Sequence, residues 1–173
     1  MKFLIPLCLA TFFALGRLAA QQTGSPSVAQ ANAAPSWQVV TINKVSLEGT
    51  LKEGTAFEIN IEARKPKALQ GDYFGSVGQP GSVLAEITVK LGGEKMSFPK
   101  QAFNDLANPL LQTVSVTSQP SGELRLRFTG GDGSATYEAE YFIQSNRLAK
   151  RSISYFEASA GGKKREVVKT TTF

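Results

Sequence analysis

Residues 123–143 constrain the fold more than any other stretch of the chain. They read Glu-Leu-Arg-Leu-Arg-Phe-Thr, then Gly-Gly-Asp-Gly, then Ser-Ala-Thr-Tyr-Glu-Ala-Glu-Tyr-Phe-Ile. On either side of the glycines the side chains alternate with a period of two, the spacing of a strand with one buried and one wet face. Leu124, Leu126 and Phe128 share one face; Glu123, Arg125 and Arg127 share the other. Beyond the glycines Ala135, Tyr137, Ala139, Tyr141 and Ile143 lie on the face away from Thr136, Glu138 and Glu140. A tight turn at the glycines sets Leu126 against Tyr137, Phe128 against Ala135 and Leu124 against Ala139, and it brings Arg125 across from Glu138. The expected element is a β-hairpin at the centre of an antiparallel sheet.

The same pattern recurs along the chain. Phe57, Ile59, Ile61 and Ala63 alternate without a break against Glu58, Asn60, Glu62 and Arg64. Val83, Ala85, Ile87, Val89 and Leu91 lead into Gly92-Gly93, a two-residue turn that sets Val89 against Met96, Ile87 against Phe98 and Lys90 against Lys95. Between Trp37 and Leu47 the alternation slips phase twice, which predicts a bulged strand or two short ones. Residues 110–118 are expected to pair with 123–128, Val116 opposite Leu124 and Val114 opposite Leu126. A turn at Ser145-Asn146 precedes a strand at 152–158. Gly161-Gly162 turns that strand back into 165–173, with Tyr155 opposite Val168 and Phe156 opposite Val167. The one helical signal is Pro99 followed by Ala102, Phe103 and Leu106 and stopped by Asn108-Pro109, a short helix near 99–107. The expected fold is all-β: an antiparallel sandwich or barrel of about nine strands built from hairpins, with that one short helix.

Composition bounds the domain and its compartment. Met1-Lys2, an apolar run from Phe3 to Leu15 and Ala19-Ala20 form the pattern of a signal peptide over 1–20, too short for a typical membrane span. Residues 21–36, rich in Gln, Ala, Ser and Pro, read as a flexible tether, and 37–173 as a single β domain. An exported protein, periplasmic or extracellular, is the expectation. Removing the leader removes Cys8, the one cysteine, together with Lys2 and Arg17, leaving 17 basic against 14 acidic residues. That mild excess does not point to nucleic acid. The terminal Phe173 suits an outer-membrane barrel, but counting back by twos gives Thr171, Lys169, Val167 and Arg165, which is no lipid-facing stripe. Integral membrane insertion is therefore not expected.

The chain contains no histidine and the expected mature chain no cysteine, so Ser–His–acid triads, Cys–His pairs and zinc sites built on either residue are excluded. No metal or cofactor is expected. Glu138 and Glu140 emerge on one strand face and are the only carboxylate pair that suggests a hydrolase, although the arginines opposite make a solvated charge ladder the simpler reading. Residues 65–82 are long for a connection and carry Pro66, Gly71, Gly75, Gly78, Pro80 and Gly81 around Tyr73, Phe74 and Val77. Basic residues cluster at its root, Arg64, Lys65 and Lys67, and at the last turn, Lys163, Lys164 and Arg165. The leading expectation is a non-enzymatic binding module that engages a protein or glycan through 65–82, with Tyr73, Phe74, Arg64, Lys65 and Lys67 as contacts. The alternatives are a barrel that carries a small apolar ligand and a carboxylate-dependent hydrolase.

Overall fold

The computed structural model describes residues 35–41, 43–67, 72–158 and 164–173. The expected leader and the turn at Gly161-Gly162 lie outside these residues, as does the stretch read as tether up to residue 34. Two antiparallel sheets are formed by consecutive strands. The first holds β1 (Pro35–Val40), β2 (Lys44–Thr50), β3 (Ala56–Arg64), β4 (Val83–Leu91) and β5 (Glu94–Ser97) in that order. The second holds β6 (Ser115–Ser118), β7 (Leu124–Gly130), β8 (Tyr137–Gln144), β9 (Arg147–Ala158) and β10 (Lys164–Thr172). The segment expected as a bulged strand or two short ones between Trp37 and Leu47 is two strands, β1 and β2, and the other eight expected strands are β3 to β10. The architecture is a sandwich, not a closed barrel.

The alternating residues build the core between the sheets. Val45, Leu47, Phe57, Ile59, Ile61, Ile87 and Val89 from the first sheet meet Leu124, Leu126, Phe128, Tyr137, Ala139, Tyr141, Ile143 and Ile153 from the second. Tyr137, Tyr141, Phe128 and Ile87, the side chains a ligand-carrying barrel would have had to spare, are all buried in it.

Register departs from expectation in an instructive way. Leu126 pairs with Tyr141, Phe128 with Ala139 and Leu124 with Ile143, a slip of four residues along β8. Val116 pairs with Leu126, a slip of two. Even slips leave every side chain on its face, because the strand period is two. The cause lies in the connection. Gly130 is still in β7 and pairs with Tyr137, so the link to β8 is the six-residue loop 131–136 rather than a tight turn. The charge ladder survives with other partners: Arg127 pairs with Glu138, and Arg125 with Glu123 and Glu140. Opposite Arg125 stands Phe142, whose ring centroid is 4.9 Å from the guanidinium carbon.

The β9–β10 pairing slips by one instead: Tyr155 faces Val167, Phe156 faces Glu166 and Ser154 faces Val168. An odd slip exchanges the faces of β10. It sets Val167 and Lys169 on the face that bears Tyr155 and Ile153, where Lys169 stays exposed and its ammonium lies 5.4 Å from the centroid of the Phe74 ring. Val168 is left outside, 57% exposed, beside Phe156 at 55%.

The expected helix near 99–107 is a single 3-10 turn at Lys100–Ala102, ended by Phe103 at φ −151°. The backbone beyond it is already bonded elsewhere. Phe74 N–H donates to Asp105 O, Ala107 N–H to Phe74 O, Leu84 N–H to Leu106 O and Asn108 N–H to Ser82 O. A continuing helix needs the Ala107 and Asn108 N–H groups for its i to i−4 bonds to residues 103 and 104, so the two arrangements exclude each other at its last turn. Residues 110–118 likewise begin as a 3-10 turn, Leu111–Thr113, before β6 starts at Ser115.

Candidate functional site

The long 65–82 connection is not a free loop over its second half. Asn108, with a left-handed φ of 48°, fastens it. Its Oδ1 accepts from the N–H groups of Gly81 (2.9 Å) and Ser82 (3.2 Å). Its Nδ2 donates to Gly75 O (3.0 Å) and to Asp132 Oδ2 (2.9 Å). Its own carbonyl accepts from Gly131 N–H at 2.9 Å, and Asp132 N–H donates to Gly75 O at 3.2 Å. One side chain thus ties the 75–82 segment to the 131–136 loop. Asn108→Ala removes four side-chain bonds and places a Cβ-bearing residue without Asn's tolerance in the left-handed region, so a loss of about 2 kcal/mol is expected. Hydrogen exchange checks it: the Gly81 and Ser82 amides lose protection while the β8 amides keep theirs.

This fastening positions the aromatics. Tyr73 and Phe74 are half-buried; Phe74 packs on the core with its ring centroid 5.0 Å from that of Tyr155. Tyr73, Phe74, Gly75, Ala135, Thr136, Tyr155, Phe156 and Glu157 enclose a groove of about 230 Å³. A second groove of about 500 Å³ crosses the outer face of the second sheet. It shares Thr136, Tyr155 and Phe156 with the first and adds Leu110, Arg127, Glu138 and Glu166 among others. Leu110 is exposed as well. Arg64, Lys65 and Lys67 are exposed at the end of β3 and line neither groove, so the basic cluster and the aromatic pair do not form one site. Sequence reasoning missed Tyr155, Phe156 and Leu110 as site residues. The available signal was Tyr155-Phe156 itself, since consecutive aromatics in a strand put one ring on each face.

The chemistry on offer is restrained. Glu138 and Glu140 stand in ion pairs with Arg127 and Arg125, and only Glu138 reaches the larger groove. The Tyr155 hydroxyl donates to Glu157 Oε1 at 3.0 Å, and that bond, more than burial, raises its pKa. Among the described residues no group of three His, Cys, Asp or Glu side chains stands close enough to hold a metal ion.

Behind the grooves lies a buried polar node. Arg151, on the inner face of β9, grips Asp105 through both terminal guanidinium nitrogens and donates to Ala102 O at 3.0 Å; the Tyr141 hydroxyl donates to that carbonyl at 2.9 Å. Tyr137 Oη is buried without a partner. Burial raises the pKa of both tyrosines. For Tyr137 the Asp105 charge adds to it, and for Tyr141 the Arg151 charge opposes it without prevailing. The unfolded chain releases these protons near pH ~10 and the folded protein only at higher pH. Above pH ~10 the folded state therefore holds more protons, and stability falls as pH rises; below that the contribution is fully present. The expected slope from two such groups reaches about 2.7 kcal/mol per pH unit. Urea titrations between pH 9 and 12 check this, with the Tyr137→Phe/Tyr141→Phe protein showing a shallower fall.

No family model, no curated protein and no solved structure matches the chain.

Proposed function

We propose that the chain is an exported, non-enzymatic binding module that holds an apolar segment of a partner protein along the two joined grooves. The observation that carries this reading is the row of exposed apolar side chains there. Phe156 and Leu110 are large apolar residues left open to solvent in the lining of the larger groove, and the first of them stands where the two grooves meet. Apolar groups gathered around a concavity with a polar rim are the usual material of a recognition surface, where aromatic anchors contribute most of the affinity. Glu157, Glu166 and the Arg127–Glu138 pair supply the rim. The leader pattern at 1–20 motivates the exported compartment.

Tyr73 and Phe156 are the residues to change, because Phe74 and Tyr155 also pack on the core and their loss confounds folding with binding. Tyr73→Ser/Phe156→Ser is expected to weaken partner recovery from the exported fraction at least tenfold, the equivalent of about 1.4 kcal/mol. Arg64→Ser/Lys67→Ser is the control on a surface outside the grooves. Recovery unchanged in the first variant and lost in the second reverses the assignment.

A further inference from the structure

The two sheets have four edges, and three of them are blunted. β5 and β6 are four residues long. β1 opens on Pro35 and its pairing with β2 is interrupted by a bulge after it. Short strands, prolines and bulges are the devices that keep sheet edges from pairing with another chain. β10 has none of them. It runs from Lys164 to Thr172, contains no proline, and pairs with β9 through an unbroken register. Among the described residues nothing pairs with its far side.

The direction of its free backbone groups follows from one bond. Phe173 N–H donates to Ala149 O, which makes that pair hydrogen-bonded and, by alternation, fixes the odd-numbered residues of β10 as those facing β9. The N–H and C=O groups of Glu166, Val168 and Thr170 therefore point away from the sheet. We propose that this edge pairs with the same edge of a second copy, antiparallel, about a two-fold axis at Val168.

Charge selects that register. With Val168 opposite Val168, Glu166 meets Thr170, Val167 meets Lys169 and Arg165 meets Thr171, so no like charges face each other. Sliding by one residue on each strand in one direction sets Arg165 against Lys169 twice; in the other it sets Lys169 against Lys169. The chosen register also joins the two exposed Val168–Phe156 patches into one apolar strip across the axis and yields a continuous ten-stranded sheet. The device is strand addition at a free edge, which draws its affinity from main-chain hydrogen bonds and its specificity from the side chains that face each other. The inference shares Phe156 with the groove reading but rests on the free backbone edge of β10, so sedimentation and partner recovery report on the two separately.

Sedimentation of the purified full chain tests it. The expected mass is twice 18.6 kDa at high concentration, returning toward 18.6 kDa on dilution. Val168→Pro deletes an outward N–H while leaving the ladder to β9 intact, and Val168→Lys places two like charges across the axis; both are expected to give the single-chain mass with an unchanged far-ultraviolet spectrum. In a Cys8→Ser background, Val168→Cys is expected to cross-link on oxidation, since paired residues lie about 5.5 Å apart, within disulfide reach. Glu166→Cys is expected not to, because the two copies of that residue are offset by about 13 Å along the strands. A single-chain mass at every concentration overturns the proposal. So does a dimer that survives both Val168→Pro and Val168→Lys, or cross-linking through residue 166 in preference to 168.

Discussion

Asp105→Ala is expected to lower the unfolding free energy by about 3 kcal/mol, because it strands a guanidinium inside the protein. The Arg151 side chain is 4% exposed and that of Asp105 is 28% exposed. Two charge-assisted bonds join them, Nη1 to Oδ1 at 2.5 Å and Nη2 to Oδ2 at 2.9 Å. Burial by itself pushes the guanidinium pKa down; bonding to Asp105, then its charge and Tyr141, outweigh that and leave it raised. Without the carboxylate, only Ala102 O remains as an acceptor, and Nε already has none. Removing one partner of a buried pair costs about 3–5 kcal/mol, and the partial opening of Asp105 to water places this case at the lower end. Asp105→Asn keeps the shape and one acceptor and is expected to lose less. Replacing both partners, Arg151→Met with Asp105→Leu, is expected to recover most of the loss, since neither charge is then buried alone. Urea unfolding of the four proteins decides it: an Asp105→Ala protein within about 0.5 kcal/mol of the parent means that water, not Asp105, satisfies Arg151.

The same node marks how far the sequence could be read. Faces were legible: the alternation in Phe57, Ile59 and Ile61, or in Leu124, Leu126 and Phe128, follows from the strand period alone and named the core. Registers were legible only where a short turn sets them. Gly92-Gly93 placed Val89 on Met96 and Lys90 on Lys95, as the structure has them. Gly130–Gly133 misled because the backbone of Asn108 and Gly75, remote in sequence, bonds Gly131 and Asp132 and holds a longer loop than the tight turn the glycines suggest. Arg151 reads as one more strand residue flanked by polar neighbours; its partner lies 46 positions away, so no local pattern announces its burial. The expected helix failed for the same reason, the N–H groups of Ala107 and Asn108 being claimed by the carbonyls of Phe74 and Ser82. Of the groove lining, Tyr73 and Phe74 were legible because loop aromatics are conspicuous. Tyr155 and Phe156 were not singled out, since a strand that can place its aromatics in the core gives no sign that it leaves one outside.

Gly75→Ala is expected to be the costlier of two substitutions beside Tyr137, at about 4 kcal/mol, with Gly130→Ala at about 2–3 kcal/mol. The Tyr137 ring is buried in a slot that both glycines border. A Cβ on Gly75 lies 2.5 Å from Tyr137 Cε1 and 2.8 Å from Ala107 O, and its φ of +87° disfavours any side chain. A Cβ on Gly130 overlaps Tyr137 Oη and Cζ and stands 2.7 Å from Cε1, but the backbone there is unstrained. Neither neighbour yields readily. The ring is held between the two segments, and the Ala107 carbonyl belongs to backbone that Phe74 bridges. Overpacking of this kind costs about 1–3 kcal/mol, and a left-handed conformation adds about 1–2 kcal/mol for alanine. The two substitutions therefore differ in how they respond to a smaller neighbour. Tyr137→Ala is expected to absorb most of the Gly130→Ala penalty, so that the double variant is more stable than the sum of the single losses predicts. It is expected to absorb only the ring-contact part at Gly75, leaving the backbone term and the Ala107 contact. Thermal or urea unfolding of the two cycles reads the difference directly: equal rescue at both positions assigns the whole effect to the ring, and no rescue at Gly130 shows that the slot is not what requires a glycine there.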